Sequence, residues 1–166
     1  MMNIELRTIR ETDNLILAQI LRQALDEHHI PKEGTVYTDP TTVQLYTLFQ
    51  HPKSIYYVAV ENGEVLGGCG IYPTANLPNG YAELVKLYLS GKSRGKGIGK
   101  ALITQCFETA ITFGYTHLYL ESFPEFAAAI NLYKKLGFHT LPHALGNSGH
   151  YACNTWMVKE LIAATP

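Results

Sequence analysis

One stretch restricts the possible folds of this chain more than any other: Glu83-Leu-Val-Lys-Leu-Tyr-Leu-Ser-Gly-Lys-Ser-Arg-Gly-Lys-Gly-Ile-Gly-Lys-Ala-Leu102. Leu84, Val85, Leu87, Tyr88 and Leu89 form a nearly unbroken apolar run, which suits a strand buried on both faces. A turn through Ser90 to Ser93 leads into a glycine-rich segment. An amphipathic helix follows, with Ile98, Leu102, Cys106 and Ala110 on one stripe. Gly95, Gly97 and Gly99 leave backbone N–H groups unscreened at the positive end of that helix, where an anion can approach closely. The segment is a diphosphate cradle in outline. A turn without a ligand gives no reason for three glycines at a helix start, where each costs up to ~1 kcal/mol relative to alanine.

Three phosphate-binding patterns compete for it. A P-loop requires G-x-x-x-x-G-K-[S/T]; Gly91-Lys92-Ser93 supplies its end, but position 86 is Lys where the first glycine belongs. A dinucleotide fingerprint requires G-x-G-x-x-[G/A], and the third place falls on Lys100 or Leu102 in the two possible registers, although Glu121 lies at a suitable downstream distance. The pattern [Q/R]-x-x-G-x-[G/A] is met at every position by Arg94-Gly95-Lys96-Gly97-Ile98-Gly99. Here the chain resembles the GNAT superfamily of acyl-CoA-dependent N-acyltransferases. A second segment, Ala129-Ile-Asn-Leu-Tyr-Lys-Lys-Leu-Gly-Phe138, is similar to that family's A-x-x-L-Y-x-K-x-G-F signature.

Composition narrows the alternatives. At 166 residues and 46% hydrophobic, the chain can build one sizeable core and is short for two, so residues 1–166 are read as a single domain. The net charge of −1 supports neither nucleic-acid nor membrane-surface binding. Cys69, Cys106 and Cys153 are far apart and odd in number, as expected of reduced thiols in a cytoplasmic protein. Glu5 and Arg7 interrupt the first apolar residues, unlike a signal peptide, and no apolar run approaches the ~20 residues of a membrane span. His28-His29 points in two directions on a helix and has no nearby ligand set, so no metal is expected.

Taken in order, residues 3–9 alternate as a half-buried strand, and Thr12 or Asp13 is placed to cap a helix through Leu25. After an irregular tract, a second helix is predicted from Thr41 to Phe49, capped near Asp39. Residues 54–61 and 64–72 flank Asn62-Gly63, a strong hairpin signal. Gly67, Gly68 and Gly70 mark a bulge or a close approach by another segment. Pro78-Asn79-Gly80 turns the chain into the central strand, and the glycine helix ends near Gly114. A strand follows at His117 to Glu121, then a helix from Glu125 to Leu136 with Pro124 in its first turn and Gly137 closing it. A short strand near Phe138 and a last one from His150 to Glu160 complete the chain. This order matches the GNAT order and implies an α/β fold: a mostly antiparallel central sheet of six or seven strands flanked by about four helices.

The resemblance also implies roles. Tyr133 stands where relatives place a tyrosine that protonates the leaving thiolate, and Glu83 where several histone-acetylating relatives carry a glutamate base. Glu121 and His150 are the alternatives for that base. The backbone of Leu87, Tyr88 and Leu89 would pair with the pantetheine arm of acetyl-CoA. The diphosphate would lie on the amides of Gly95 to Gly99, including Ile98, with charge from Arg94, Lys96 and Lys100. Phe126 departs from the asparagine that many relatives use to hold the cofactor. The implied activity is acetyl transfer from acetyl-CoA to a primary amine on a small molecule or peptide, with the acceptor wall at His28 to Pro40 and Leu141 to Cys153. The other functional class is a non-catalytic acetyl-CoA sensor, which would have no use for Glu83 and Tyr133. In some relatives the last strand pairs across a homodimer.

Overall fold

A strand feeding a glycine turn and a helix can be buried only within a layered sheet, and the computed structural model, which describes residues 3–162, shows how. The elements run β1 (Ile4–Thr8), α1 (Asn14–Glu27), α2 (Leu45–Leu48), β2 (Ile55–Glu61), β3 (Glu64–Tyr72), β4 (Tyr81–Leu89), α3 (Ile98–Thr112), β5 (His117–Ser122), α4 (Ala127–Lys135), β6 (His139–Leu141) and β7 (Thr155–Glu160). They form one seven-stranded sheet in the order β1-β2-β3-β4-β5-β7-β6. All neighbours are antiparallel except β4 and β5, which the α3 crossover makes parallel.

Each face of the sheet has its own core. The stripe expected on α3 is buried, with Ile98, Leu102, Cys106 and Ala110 joined by Ile103. It packs on Leu66, Cys69, Ile71, Ala82 and Leu84, and α4 adds Tyr133 to the same face. On the other face, Leu17 and Leu45 meet Tyr56, Val58 and Val60, while Leu21 and Leu25 meet Val36 and Phe123. Each fully buried leucine of this kind contributes about 1.5–3 kcal/mol of transfer free energy. Among the described residues, no helix is long and apolar enough to cross a membrane.

The hairpin turns at Asn62 and Gly63, with φ of 51° and 83°, the conformation of a two-residue type I′ connection. Other expectations need correction. Asp13 does not cap α1 through its side chain; it accepts from the Arg10 N–H (2.7 Å) and from the Arg7 guanidinium (2.7 and 2.9 Å), pinning β1 to the helix start. The helix expected at 41–49 breaks at Gln44 (φ −133°, ψ 38°) into a 3₁₀ turn, Pro40–Val43, and the short α2; the Tyr46 N–H goes to Asn14 Oδ1 at 2.9 Å. Asp39 does cap that turn, accepting from the Thr41 N–H at 2.9 Å. Helix α4 starts two residues later than expected because the Phe126 N–H closes a turn on the Phe123 carbonyl. Strand β7 begins at Thr155 rather than His150, since residues 150–153 turn back with the Cys153 N–H on the His150 carbonyl (3.2 Å). Strand β7 is also internal, paired on one side with β5 and over residues 156–158 with β6, so the outer edge of the sheet belongs to β6.

Candidate active site

The site begins at a defect in β4. Opposite β3, Gly70 pairs with Val85 but Gly68 pairs with Tyr88, so β4 holds one more residue than its partner over this interval. Lys86 takes a left-handed φ of 55° there. Before the bulge, Ala82 and Leu84 face α3; after it, Leu87 and Leu89 do, and Tyr88 faces the other way. Lys86 therefore shares the far face with Glu83 and Val85, which strict alternation would forbid. The bulge is held by Tyr56 on β2, whose ring crosses Gly70 and Gly68 and whose hydroxyl donates to the Lys86 carbonyl at 2.8 Å. A Cβ on Gly68 would sit 2.4 Å from that ring, which makes Gly68 and Gly70 close-approach glycines; Gly67 (φ 139°) marks a separate irregularity between β2 and β3.

Strands β4 and β5 pair only from Tyr81↔His117 to Glu83↔Tyr119. Beyond that they part, and a cleft opens between them, lined by Leu87, Tyr88, Ser122, Phe123, Phe126, Tyr133 and Cys153. Tyr88 and Leu89 pair with β3 on one side, opposite Gly68 and Gly67, whereas Leu87 falls in the bulge interval; none of the three pairs with β5, and Leu87 and Tyr88 line the cleft. At the far end lies the glycine segment. Gly97 caps α3 in the left-handed conformation (φ 71°), and the first helical bond runs from the Ala101 N–H to the Gly97 carbonyl at 3.1 Å. The amides of Ile98, Gly99 and Lys100 are left without intrahelical partners. A Cβ on Gly95 or Gly97 would meet nothing within 4 Å. Open space over unpartnered amides fits a diphosphate.

The basic side chains are distributed less simply than expected. Lys96 is drawn to Glu61 at 2.6 Å, and Arg94 to Glu27 on α1 at 3.6 Å, whereas Lys100 is exposed at the helix start. Tyr133 lies in the cleft wall, its ring edge-on to Phe138 (5.7 Å), and burial raises its hydroxyl well above the usual tyrosine value. Phe126 packs against the His28 ring at 4.7 Å and offers the cleft no hydrogen bond. His28 is further fixed by Nδ1 against the Ala24 carbonyl (2.8 Å), so it belongs to this aromatic contact rather than to the acceptor wall. Among the described residues, no His, Cys, Asp and Glu side chains gather into a metal-binding group. Burial pushes the Cys153 thiol up to about 12, so it stays protonated near neutrality and is a poor nucleophile.

On the opposite side of β4 is a second cavity of about 270 Å³, lined by Asp39, Tyr72, Thr74, Glu83, Val85, Lys86, Asn147, Ser148 and His150 among others. Glu83 is buried at 5% exposure in the third position of β4. Burial and the neighbouring Glu121 carboxylate push its carboxyl up to about 8, against the opposing Thr74 hydroxyl, which donates at 2.6 Å, and the charge of Lys86. The other candidate bases are engaged. Glu121 accepts the Tyr119 hydroxyl on one oxygen (2.7 Å) and the Ser148 hydroxyl on the other. His150 Nε2 lies 2.8 Å from Asp39 Oδ2, and this contact holds the Asp39 carboxyl well below its usual range. The two loops expected to wall the acceptor are thereby joined across 111 residues of chain. Neither Lys86 nor Thr74 was expected among the site residues: the apolar run of β4 does not show which of its residues a bulge would turn out, and Thr74 reads as an ordinary loop residue.

Comparison with known proteins bears on the family and the fold. The profile described as "Acetyltransferase (GNAT) family" matches residues 19–138. The Escherichia coli K12 protein named uncharacterized N-acetyltransferase YjgM is 35% identical over 157 residues, 94% of each chain. Human N-acetylaspartate synthetase is 32% identical over 119 residues, which is 72% of this chain and 37% of that longer protein. Among solved structures, a GNAT-family acetyltransferase from Staphylococcus aureus Mu50 superposes with a TM-score of 0.80 at 17% identity, covering 96% of this chain and 99% of the other. The Salmonella typhimurium protein yncA, solved with its cofactor acetyl-CoA, gives 0.75 at 21% identity, covering 99% of this chain and 97% of the other. A glycine cradle at the mouth of a parted strand pair, a match over most of the chain and an end-to-end relative lead to one assignment: the chain belongs to the GNAT acetyltransferase family.

Proposed function

We propose that this protein moves an acetyl group from acetyl-CoA to a primary amine by direct attack, with the acceptor held in the cavity over Glu83. The observation that carries the reading is the pairing of two compartments on one strand. The parted β4–β5 cleft opens beside the strand end that runs on into the start of α3, and Glu83 lines a second cavity that meets the cleft at Lys86, which borders both. When bound, acetyl-CoA supplies an activated thioester; the backbone of Leu87 to Leu89 pairs with its arm, and the Gly95–Lys100 segment holds its diphosphate.

The acceptor nitrogen bonds to the thioester carbonyl carbon as the carbon–sulfur bond breaks. The nitrogen's proton goes to Glu83, and the departing sulfur takes a proton from the Tyr133 hydroxyl. A carboxyl poised near pH 8 is a stronger base than an ordinary glutamate, and Glu83 keeps one oxygen without a partner among the described residues. Burial keeps the Tyr133 hydroxyl protonated near neutrality but also makes it a weak acid, so its proton moves to the sulfur only as negative charge builds there, and a proton returns to the phenolate from solvent or the thiol afterwards. The protonated thiol of Cys153 supports direct transfer over an acyl-enzyme route. Orientation is the larger contribution, worth up to ~7–11 kcal/mol of barrier; a single base adds ~10²–10⁴-fold.

The test combines acetyl-CoA calorimetry with an amine screen that reads release of free thiol. Micromolar binding and amine-dependent thiol release are expected. Absence of acetyl-CoA binding overturns the reading, and binding without turnover on any amine favours a cofactor sensor.

A further inference from the structure

Resting on the acetyl-transfer reading, we infer that the acceptor is a small free amino acid or similar amine carrying a carboxylate, and that the Lys86 ammonium is the group that binds this carboxylate. Three observations meet at Lys86. The bulge turns it out of register onto the face of Glu83, so one short piece of backbone presents both a candidate base and a cation to the same cavity. Among the described residues, no carboxylate lies within ion-pair distance of Lys86, in contrast to Arg7, Lys92 and Lys96, which are all paired. The remaining charged groups of the cavity are already committed: Asp39 and His150 pair with each other, and Glu83 is neutral over much of the neutral range.

A half-buried lysine without a partner is costly, and a ligand carboxylate removes the cost. Burial lowers the Lys86 pKa, while Asp39 and Glu83 pull it back up, and an arriving carboxylate would raise it further. The same charge discriminates against diamines and polyamines, whose second ammonium would face Lys86. The cavity, about 270 Å³, sits just below the ~300–1,000 Å³ of drug-sized ligand sites, which suits a compact acceptor rather than a peptide segment. Thr74, Asn147 and Ser148 add neutral hydrogen-bonding groups to its wall.

The test is acetyl-CoA-dependent thiol release with the twenty common L-amino acids, their α-amides and the matching decarboxylated amines. It compares wild type with Lys86→Met, Lys86→Gln and Lys86→Arg. The best amino acid is expected to exceed its amide and amine at least tenfold in kcat/KM. This order runs against intrinsic reactivity, since the amide's amine deprotonates more readily. The preference should collapse toward unity in Lys86→Met and Lys86→Gln, through a raised acceptor KM, and persist in Lys86→Arg. Turnover of amides or amines as fast as acids by the wild type, or an undiminished acid preference in folded Lys86→Met, overturns the inference and leaves acetyl transfer standing. No thiol release from any acceptor, together with no acetyl-CoA binding, overturns both.

Discussion

The hydroxyl of Tyr56 on β2 reaches over β3 to the carbonyl oxygen of Lys86 on β4, at 2.8 Å. It can do so because the intervening strand has no side chain in the way: Gly68 and Gly70 lie under the ring. One tyrosine therefore holds the irregular turn of backbone on which the two sides of the proposed site depend. Tyr56→Phe leaves that carbonyl without its partner, at a cost of about 1–3 kcal/mol. Thermal unfolding should show the loss, and acceptor KM should rise more than the acetyl-CoA dissociation constant. A variant with unchanged melting temperature and unchanged acceptor KM would show that the bulge persists without Tyr56.

The glycine cradle is tested at Gly97, whose φ of 71° favours glycine. Gly97→Asn keeps a residue that tolerates this conformation, whereas Gly97→Glu adds strain of about 1–2 kcal/mol and a negative charge beside the open amides. Like charges brought together cost several kcal/mol, so Gly97→Glu should weaken acetyl-CoA binding by ~10²-fold or more while circular dichroism stays native. Equal affinity in folded Gly97→Glu and wild type would move the diphosphate elsewhere.

For Tyr133, removal of the hydroxyl preserves the ring contact with Phe138, and Tyr133→Phe should change stability by less than ~1.5 kcal/mol. Turnover should fall ~10²–10⁴-fold with acetyl-CoA affinity little altered. Normal turnover would leave Tyr133 as a packing residue.

Glu83 makes two pH predictions. As a base with a pKa of about 8, it should give kcat/KM an acid limb that rises through that pH, and the limb should vanish in Glu83→Gln. The same shift acts on folding. The native carboxyl holds its proton up to about pH 8, whereas the unfolded one loses it near 4.5, so between those values the native state binds more protons and stability falls as pH rises. Glutamine cannot ionise. Glu83→Gln should therefore melt at a higher temperature than wild type at pH 8–9, by an amount worth a few kcal/mol at order of magnitude, and the gap should close toward pH 5. A difference in melting temperature that ignores pH would refute the raised pKa.

How much of this was legible beforehand varies with the range of the interaction. Asn62-Gly63 specifies its hairpin through the conformation of two residues, and Arg94 to Gly99 specifies a helix start through local backbone freedom, so both were readable. The place of Tyr133 on a helix was readable through the segment around it. The bulge was readable only from its partner strand, through Gly68 and Gly70; in β4 itself Leu-Val-Lys-Leu-Tyr-Leu looks like a regular buried strand, and the tyrosine that holds the extra residue lies 30 residues away. The Asp39–His150 contact is likewise invisible, being made between loops 111 residues apart. The same loop contacts turn residues 150–153 out of the strand that their composition suggested.

The extra residue in β4 works like a shift of reading frame. Upstream of Lys86, even-numbered positions belong to the α3 core; downstream, odd-numbered ones do. Deleting Lys86 would therefore remove more than one ammonium group. It would take out the extra residue itself, so that Val85 is followed directly by Leu87 and plain alternation keeps Leu87 and Leu89 on the α3 face and Tyr88 on the other. The strand would become regular, and the cavity over Glu83 would lose its cation without any leucine leaving the core.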